Sequence, residues 1–196
     1  MLEAASGDVR RLSHVVRYSS IPVAVPENVA EHSYWVCLYS ALIHQVLRPA
    51  EPELIGALLL KATVHDLAEC VTGDVVRTFK YSSPSLRDEI TKAEERIVRH
   101  LPGPVQVLMN GVVPNLVSGE GPYVEAVVKA ADFMSLHQYM VREVRRGNRE
   151  IIKPYYLRME DDLRSMMERY TTLEFEPFQG LYKEMLETAK TARVGG

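Results

Sequence analysis

The sequence predicts an all-α protein organised as one helical-bundle domain over residues 1–196. Three observations lead there. Apolar residues recur at helical spacing, most clearly at Val127, Val128, Ala131, Met134, Leu136, Met140, Val141 and Val144. Prolines stand where helices begin, at Pro52, Pro84 and Pro122. No stretch alternates with the period of two that marks a half-buried strand, and there is no repeat, low-complexity segment or linker.

Taken in order, Leu2 to Tyr18 reads as a helix with Val9, Leu12, Val15 and Val16 on its apolar side and Arg10, Arg11 and Arg17 as its basic residues. Pro22 and Pro26 break the chain after it. Asn28 with Glu31 three residues on forms an approximate capping box for a second, largely buried helix from Val29 to Leu47. His32 falls in its first turn, and Pro49 stops it. The next helix runs from Pro52 to about Val71. Ser83-Pro84 caps a charged helix to Leu101, and Pro102-Gly103-Pro104 ends it. Val105 to Gly121 reads as a short helix and then a loop. Tyr123 to Arg146 forms a long helix with Gly147 as its stop. Two further helices are expected at Pro154–Tyr170 and Pro177–Ala192.

The composition is that of an ordinary water-soluble globule, with 46% hydrophobic and 25% charged residues. A net charge of −3 gives no general reason to bind a nucleic acid polymer or a membrane. Cys37 and Cys70 read as reduced thiols of a cytoplasmic protein. Glu3 and Asp8 argue against a secretory signal, and no run reaches the ~20 apolar residues of a membrane span.

The densest chemistry lies in Val64-His65-Asp66-Leu67-Ala68-Glu69-Cys70-Val71-Thr72-Gly73-Asp74, which follows an apolar run from Leu54 to Leu60. Buried carboxylates and imidazoles are costly unless paired or metal-bound, so this turn either faces water or holds a cation. Taken singly, the candidate ligands have bland readings. His32 suits a satisfied core histidine, Asp132 suits a cap or an ion pair with Lys129, and a His-Asp dipeptide often occurs by chance. Together, three helices each carry such a group where a bundle could point it inward. Two nitrogens and two carboxylates suit a first-row divalent ion such as manganese, cobalt, iron, nickel or zinc better than magnesium. Four protein ligands leave positions open for water and a substrate oxygen.

These segments resemble the HD-domain phosphohydrolases, all-α metal-dependent enzymes named for their H…HD…D ligands, and in particular the YfbR-like 5′-deoxynucleotidase subgroup. The matching segments are Arg17, then Glu27-Asn28-Val29-Ala30-Glu31-His32-Ser33, then His65 to Asp74, then Val128-Lys129-Ala130-Ala131-Asp132, in the subgroup's order and with similar spacing. Phage dATP triphosphohydrolases and an oxetanocin-pathway phosphohydrolase are similar.

The resemblance implies that His32, His65, Asp66 and Asp132 bind one divalent transition metal ion. It implies that Glu69 handles the attacking water and passes a proton to the leaving oxygen. Asp74 would support that water or the sugar, and Arg17 would bind phosphate, which its planar fork suits. Tyr18 replaces the subgroup's usual Trp, so exclusion of a ribose 2′-hydroxyl is expected to be weaker. Thr72 reads first as part of a helix stop, although its hydroxyl could reach a phosphate. Arg77, Lys80 and Lys129 are candidate cations for further phosphates, with solvated helix ends as the alternative. The expected activity is hydrolysis of the phosphate ester of (deoxy)nucleotides to nucleoside by a cytoplasmic homodimer. The alternatives are a triphosphohydrolase of a dNTP or nucleotide analogue, an inactive nucleotide-binding module, and an α-helical interaction module with accidental histidines.

Overall fold

A computed structural model describes residues 9–80, 82–108 and 120–148, together with Glu187. The expected helices at Pro154–Tyr170 and Pro177–Ala192 lie outside the described residues. The described part is helical: α1 (Val29–Leu47), α2 (Ile55–Val64), α3 (Glu69–Thr72), α4 (Arg77–Lys80), α5 (Pro84–His100), α6 (Gly103–Val107) and α7 (Gly121–Arg145). Short 3-10 turns precede α1 and α2, at Val9–Ser13 and Pro52–Leu54. Among the described residues, β pairing is limited to an isolated bridge between Val16 and Asn28.

The bundle is built on α1, α2 and α7, which pack on one another. Val36 and Ile43 from α1, Leu58 and Ala62 from α2, and Val127, Ala131 and Phe133 from α7 share one buried cluster. Leu58 is fully buried, so truncating it to Ala would cost ~2–5 kcal/mol. A smaller cluster of Leu12, Val29, Val64, Leu67, Cys70 and Leu101 closes the end where α2 gives way to α3. The two clusters hold the C-terminal end of α2 rigidly between α1 and α7, and the polar turn projects from that end.

Local chemistry explains the element ends. At α1, the Asn28 side chain accepts from Glu31 N (3.0 Å) and Glu31 Oε2 accepts from Asn28 N (3.2 Å). This reciprocal cap, worth ~1 kcal/mol, fixes where the first turn begins and places His32 inside it. Ser83 caps α5 by accepting from Leu86 N, with Pro84 in its first turn. Gly147, at φ 91°, ends α7 in a conformation that L side chains rarely adopt.

The structure corrects three expectations. The first helix does not continue to Tyr18. Tyr18 has φ 60°, and Arg17 N and Val29 N bond to Glu27 O and Val15 O, so this segment lies alongside the chain that enters α1. Its hydrogen bonds come from a distant segment rather than from a helical ladder. The helix expected from Pro52 to Val71 is interrupted at residues 65–68, where the chain turns before α3. α1 is buried on one side only: Tyr34, Leu38, Leu42 and Val46 are exposed, because α2 and α7 cover only the opposite face.

Candidate metal centre

Three elements deliver the candidate ligands. His32, in the first turn of α1, is 0% exposed. His65 and Asp66 open the turn that interrupts the helical path after α2. Asp132 lies midway along α7. His32 Nε2 is 3.2 Å from Asp132 Oδ1 and 3.6 Å from Asp66 Oδ2, and His65 Nε2 is 3.1 Å from Asp66 Oδ2. The structure thus brings together all four residues of the sequence-derived set.

The two Nε2 atoms are buried, and neither makes a hydrogen bond despite the nearby carboxylates. Ligand atoms of His32, His65 and Asp66 lie within 4.8 Å of one another. His65 Nδ1 donates to Ala62 O at 2.6 Å. A carbonyl can only accept, so the neutral ring keeps its lone pair on Nε2, facing the carboxylates. Buried, unbonded imidazole nitrogens beside two carboxylates fit a divalent cation with mixed nitrogen and oxygen ligands.

The titration behaviour follows from this crowding. Burial lowers the His32 pKa to about 4, helped by the Arg17 charge. Burial also opposes the charge on His65, but Asp66 and Asp132 outweigh it and raise its pKa to about 9. Burial raises Asp66, yet His65 overcomes this and brings it down to about 2. Asp132 is also held well below the usual carboxylate range: burial is outweighed by Lys129, whose ammonium lies 2.9 Å from Oδ2, and by His32. Glu69 goes the other way, up to about 9, through burial and then repulsion from Asp66 and Asp74.

Two cavities meet at this point. One, of about 710 Å³, is lined by His65, Glu69, Lys80, Glu94, Lys129 and Asp132 among others. The other, of about 130 Å³, lies under Arg17, Tyr18 and Asp74. Asp66, Glu69, Lys80, Lys129 and Asp132 border both, so a ligand could extend from one to the other past Glu69.

The remaining sequence-derived residues divide. Arg17 is partly buried, with Nη1 2.7 Å from Glu27 Oε2 and 2.7 Å from His32 Nδ1. Burial opposes its charge, but Tyr18, Glu27, Asp132 and Asp66 outweigh it, so the guanidinium stays protonated. Tyr18 stacks on Tyr139 (centroids 4.7 Å apart), and its backbone N–H donates to Asp74 Oδ2 at 3.0 Å. Gly73, at φ 70°, makes the turn that brings Asp74 back toward Tyr18. Lys80 borders both cavities and pairs with Glu94 at 2.6 Å. Thr72 is not brought in: it is exposed, it borders neither cavity, and its hydroxyl donates to Gly73 O at 2.8 Å. Arg77 opens α4, and its side chain lies outside the described ones.

Two residues near the site escaped the sequence reading of roles. Glu27 anchors Arg17, and its signal was its place at the head of the Glu27–Ser33 segment. Ser135, with Oγ 3.0 Å from His32 Nδ1, is buried on α7. Its spacing of three from Asp132 puts both on one helix face.

An all-helical bundle that gathers His32, His65–Asp66 and Asp132 at one point has the arrangement that defines HD-domain phosphohydrolases. Comparison with known proteins agrees. The family described as 5′-deoxynucleotidase YfbR-like matches residues 7–185. A 5′-deoxynucleotidase of Vibrio cholerae serotype O1 is 29% identical over 151 residues, covering 71% of this chain and 74% of that protein. One from Photobacterium profundum is 24% identical over 183 residues, 89% of each chain. A cyanophage S-2L HD phosphohydrolase (DatZ), solved bound to dA and one catalytic Zn2+ ion, shares the fold with a TM-score of 0.61 and 19% identity, covering 95% of this chain and 96% of its own. The chain belongs to the YfbR-like 5′-deoxynucleotidase family and is a hydrolase.

Proposed function

We propose that this protein is a divalent-metal-dependent nucleotidase that hydrolyses the 5′-phosphate ester of deoxynucleotides, with the monophosphate as leading substrate. One observation carries the reading: the Nε2 atoms of His32 and His65 are buried without hydrogen bonds, beside Asp66 and Asp132. His32, His65, Asp66 and Asp132 would hold the ion. When bound there, a first-row divalent ion lowers the pKa of a water and polarises a phosphoryl oxygen. The 5′-deoxynucleotidase relatives and the dA and zinc of the phage enzyme support nucleotide as substrate and a metal as cofactor.

This chain's own residues supply the rest. Glu69 lies where both cavities meet, a position suited to receiving the proton of the attacking water. It passes a proton to O5′ as the P–O5′ bond breaks, so phosphate and nucleoside leave. Arg17 offers a planar, permanently charged fork for the phosphate. Tyr18, held by Tyr139 and Asp74, faces the sugar. Its ring is smaller than the tryptophan usual there, which loosens discrimination at the 2′ position. Lys80 and Lys129 border the larger cavity and would meet phosphates beyond the first.

That cavity favours a second reading, in which attack at the α-phosphorus also releases intact diphosphate or triphosphate from longer substrates. The exposed stripe of Tyr34, Leu38, Leu42 and Val46 supports a homodimer, which sedimentation would test, and the full chain is read as one domain. Phosphorus NMR of digests of dAMP, dADP and dATP by metal-loaded protein tests the reaction. Phosphate from dAMP and intact triphosphate from dATP are expected. Stepwise release of phosphate from dATP would place the terminal phosphate at the metal instead, and no turnover of any nucleotide would remove the proposal.

A further inference from the structure

His32 and His65 face the candidate metal position by the same atom, but their outer nitrogens are held differently. His65 Nδ1 has a backbone carbonyl, which fixes the tautomer outright. His32 Nδ1 has two neighbours: Ser135 Oγ at 3.0 Å and Arg17 Nη1 at 2.7 Å. A guanidinium can only donate, whereas a hydroxyl can accept. The two contacts therefore ask opposite things of the ring. When Arg17 donates, Nδ1 holds the lone pair and Nε2 the proton, which is the wrong form for a metal ligand. When Nδ1 carries the proton, Ser135 accepts it, Nε2 is free to coordinate, and Arg17 must give up the contact. Arg17 and Asp132 both border the smaller cavity, so a guanidinium leaving His32 remains where a phosphate would arrive. Glu27 keeps hold of it meanwhile.

We propose that Ser135 is a positioning residue for His32: by accepting the Nδ1 proton it selects the metal-binding tautomer and releases Arg17 for the substrate phosphate. The geometry behind this is α7 gripping both sides of one buried ring, with Asp132 at Nε2 and Ser135 at Nδ1. The inference rests on His32 being a metal ligand, as in the proposed function. It assigns the role of a second-tier partner, whose loss in other metal sites typically weakens affinity ~10–100-fold.

The test uses full-length protein stripped of metal and titrated with Co(II) against a competing chelator. Ser135→Ala is expected to bind Co(II) about 10–100-fold more weakly, while Ser135→Thr, which keeps the hydroxyl, stays within about threefold of wild type. Arg17→Leu, which removes the competing donor, should bind at least as tightly as wild type. Proton NMR of the Co(II) protein gives a second readout. Two exchangeable, hyperfine-shifted imidazole N–H signals are expected, and Ser135→Ala should broaden or lose one of them. If Ser135→Ala does not fold, Ser135→Cys, whose thiol is a weak acceptor, should show the same loss in part. Wild-type affinity with both signals sharp in the Ala or Cys variant would overturn the role of Ser135, and weaker binding by Arg17→Leu would overturn the release of Arg17. Loss of neither affinity nor signal in His32→Ala would instead overturn the ligand assignment itself, which separates the two failures.

Discussion

Glu143 offers the sharpest test of how the site segment is held. It lies on the last turn of α7, is 0% exposed, and faces the segment that links Tyr18 to Glu27. Its Oε2 accepts from Ala24 N at 2.5 Å and from Asn148 Nδ2 at 2.9 Å, and its Oε1 accepts from Val25 N at 3.1 Å. Asn148 Nδ2 also donates to Pro22 O at 2.8 Å, and the Tyr139 hydroxyl donates to Val25 O at 2.9 Å. The end of α7 thus clamps the stretch that follows Arg17 and Tyr18. Glu143→Ala removes the acceptor of two backbone N–H groups on the exposed residues Ala24 and Val25, at ~0.5–1.5 kcal/mol each, so a loss of about 1–3 kcal/mol is expected. With a urea slope on the order of 2 kcal/mol/M, the midpoint should fall by about 0.5–1.5 M at unchanged slope. Burial raises the Glu143 pKa, but the hydrogen bonds from Ala24, Asn148 and Val25 outweigh it and hold the carboxyl below 4.5. For a depressed carboxyl, the stabilisation is present above the unfolded value and is lost as pH falls through the folded one. The gap between wild type and variant should therefore narrow as pH falls below the unfolded value of 4.5. An Ala variant within about 0.5 kcal/mol of wild type at pH 7, or a difference that persists unchanged in acid, would refute the clamp.

Three further outcomes are expected. Glu69→Gln should keep its metal, measured by elemental analysis, and lose ~10²–10⁴ in single-turnover rate; near wild-type turnover would pass the proton role to another group. Tyr18→Trp should raise the deoxy-to-ribo ratio of kcat/KM, and an unchanged ratio would place that discrimination elsewhere, for example near Asp74. His137 is buried, and burial lowers its pKa from 6.5 to about 4, so the unfolded chain binds the extra proton first. His137 should account for a fall of up to ~3 kcal/mol between about pH 6.5 and 4; chemical denaturation of wild type and His137→Leu across that range should show a slope shallower by that amount in the variant, which retains the contribution of buried His32.

Much of this was legible in the sequence where local chemistry decides. The Asn28–Glu31 cap, Pro84 after Ser83, and Gly147 after α7 each act within four residues, and the helices there begin or end as read. The grouping of His32, His65, Asp66 and Asp132 was legible because each begins or interrupts an apolar helix and the motifs keep their order. What escaped was set by distant contacts. Nothing near Tyr18 announces its left-handed backbone, which depends on Asp74 and on pairing of Arg17 with Glu27. The break after Val64 lies in a run that reads as continuous helix, and the turn there seats Leu67 and Cys70 against Leu12, Val29 and Leu101, residues distant in the chain. Ser135 and Glu143 read as ordinary helix residues because their partners lie 103 and about 118–119 positions away.

The most direct measurement is a titration of metal-stripped protein with Co(II), Mn(II) or Zn(II), following hydrolysis of dAMP at each addition. The account predicts no turnover in stripped protein, activity that rises in proportion to ion bound and levels off at about one equivalent, and deoxyadenosine with phosphate as products. Turnover that survives complete stripping, or its absence with every one of these ions, would contradict it.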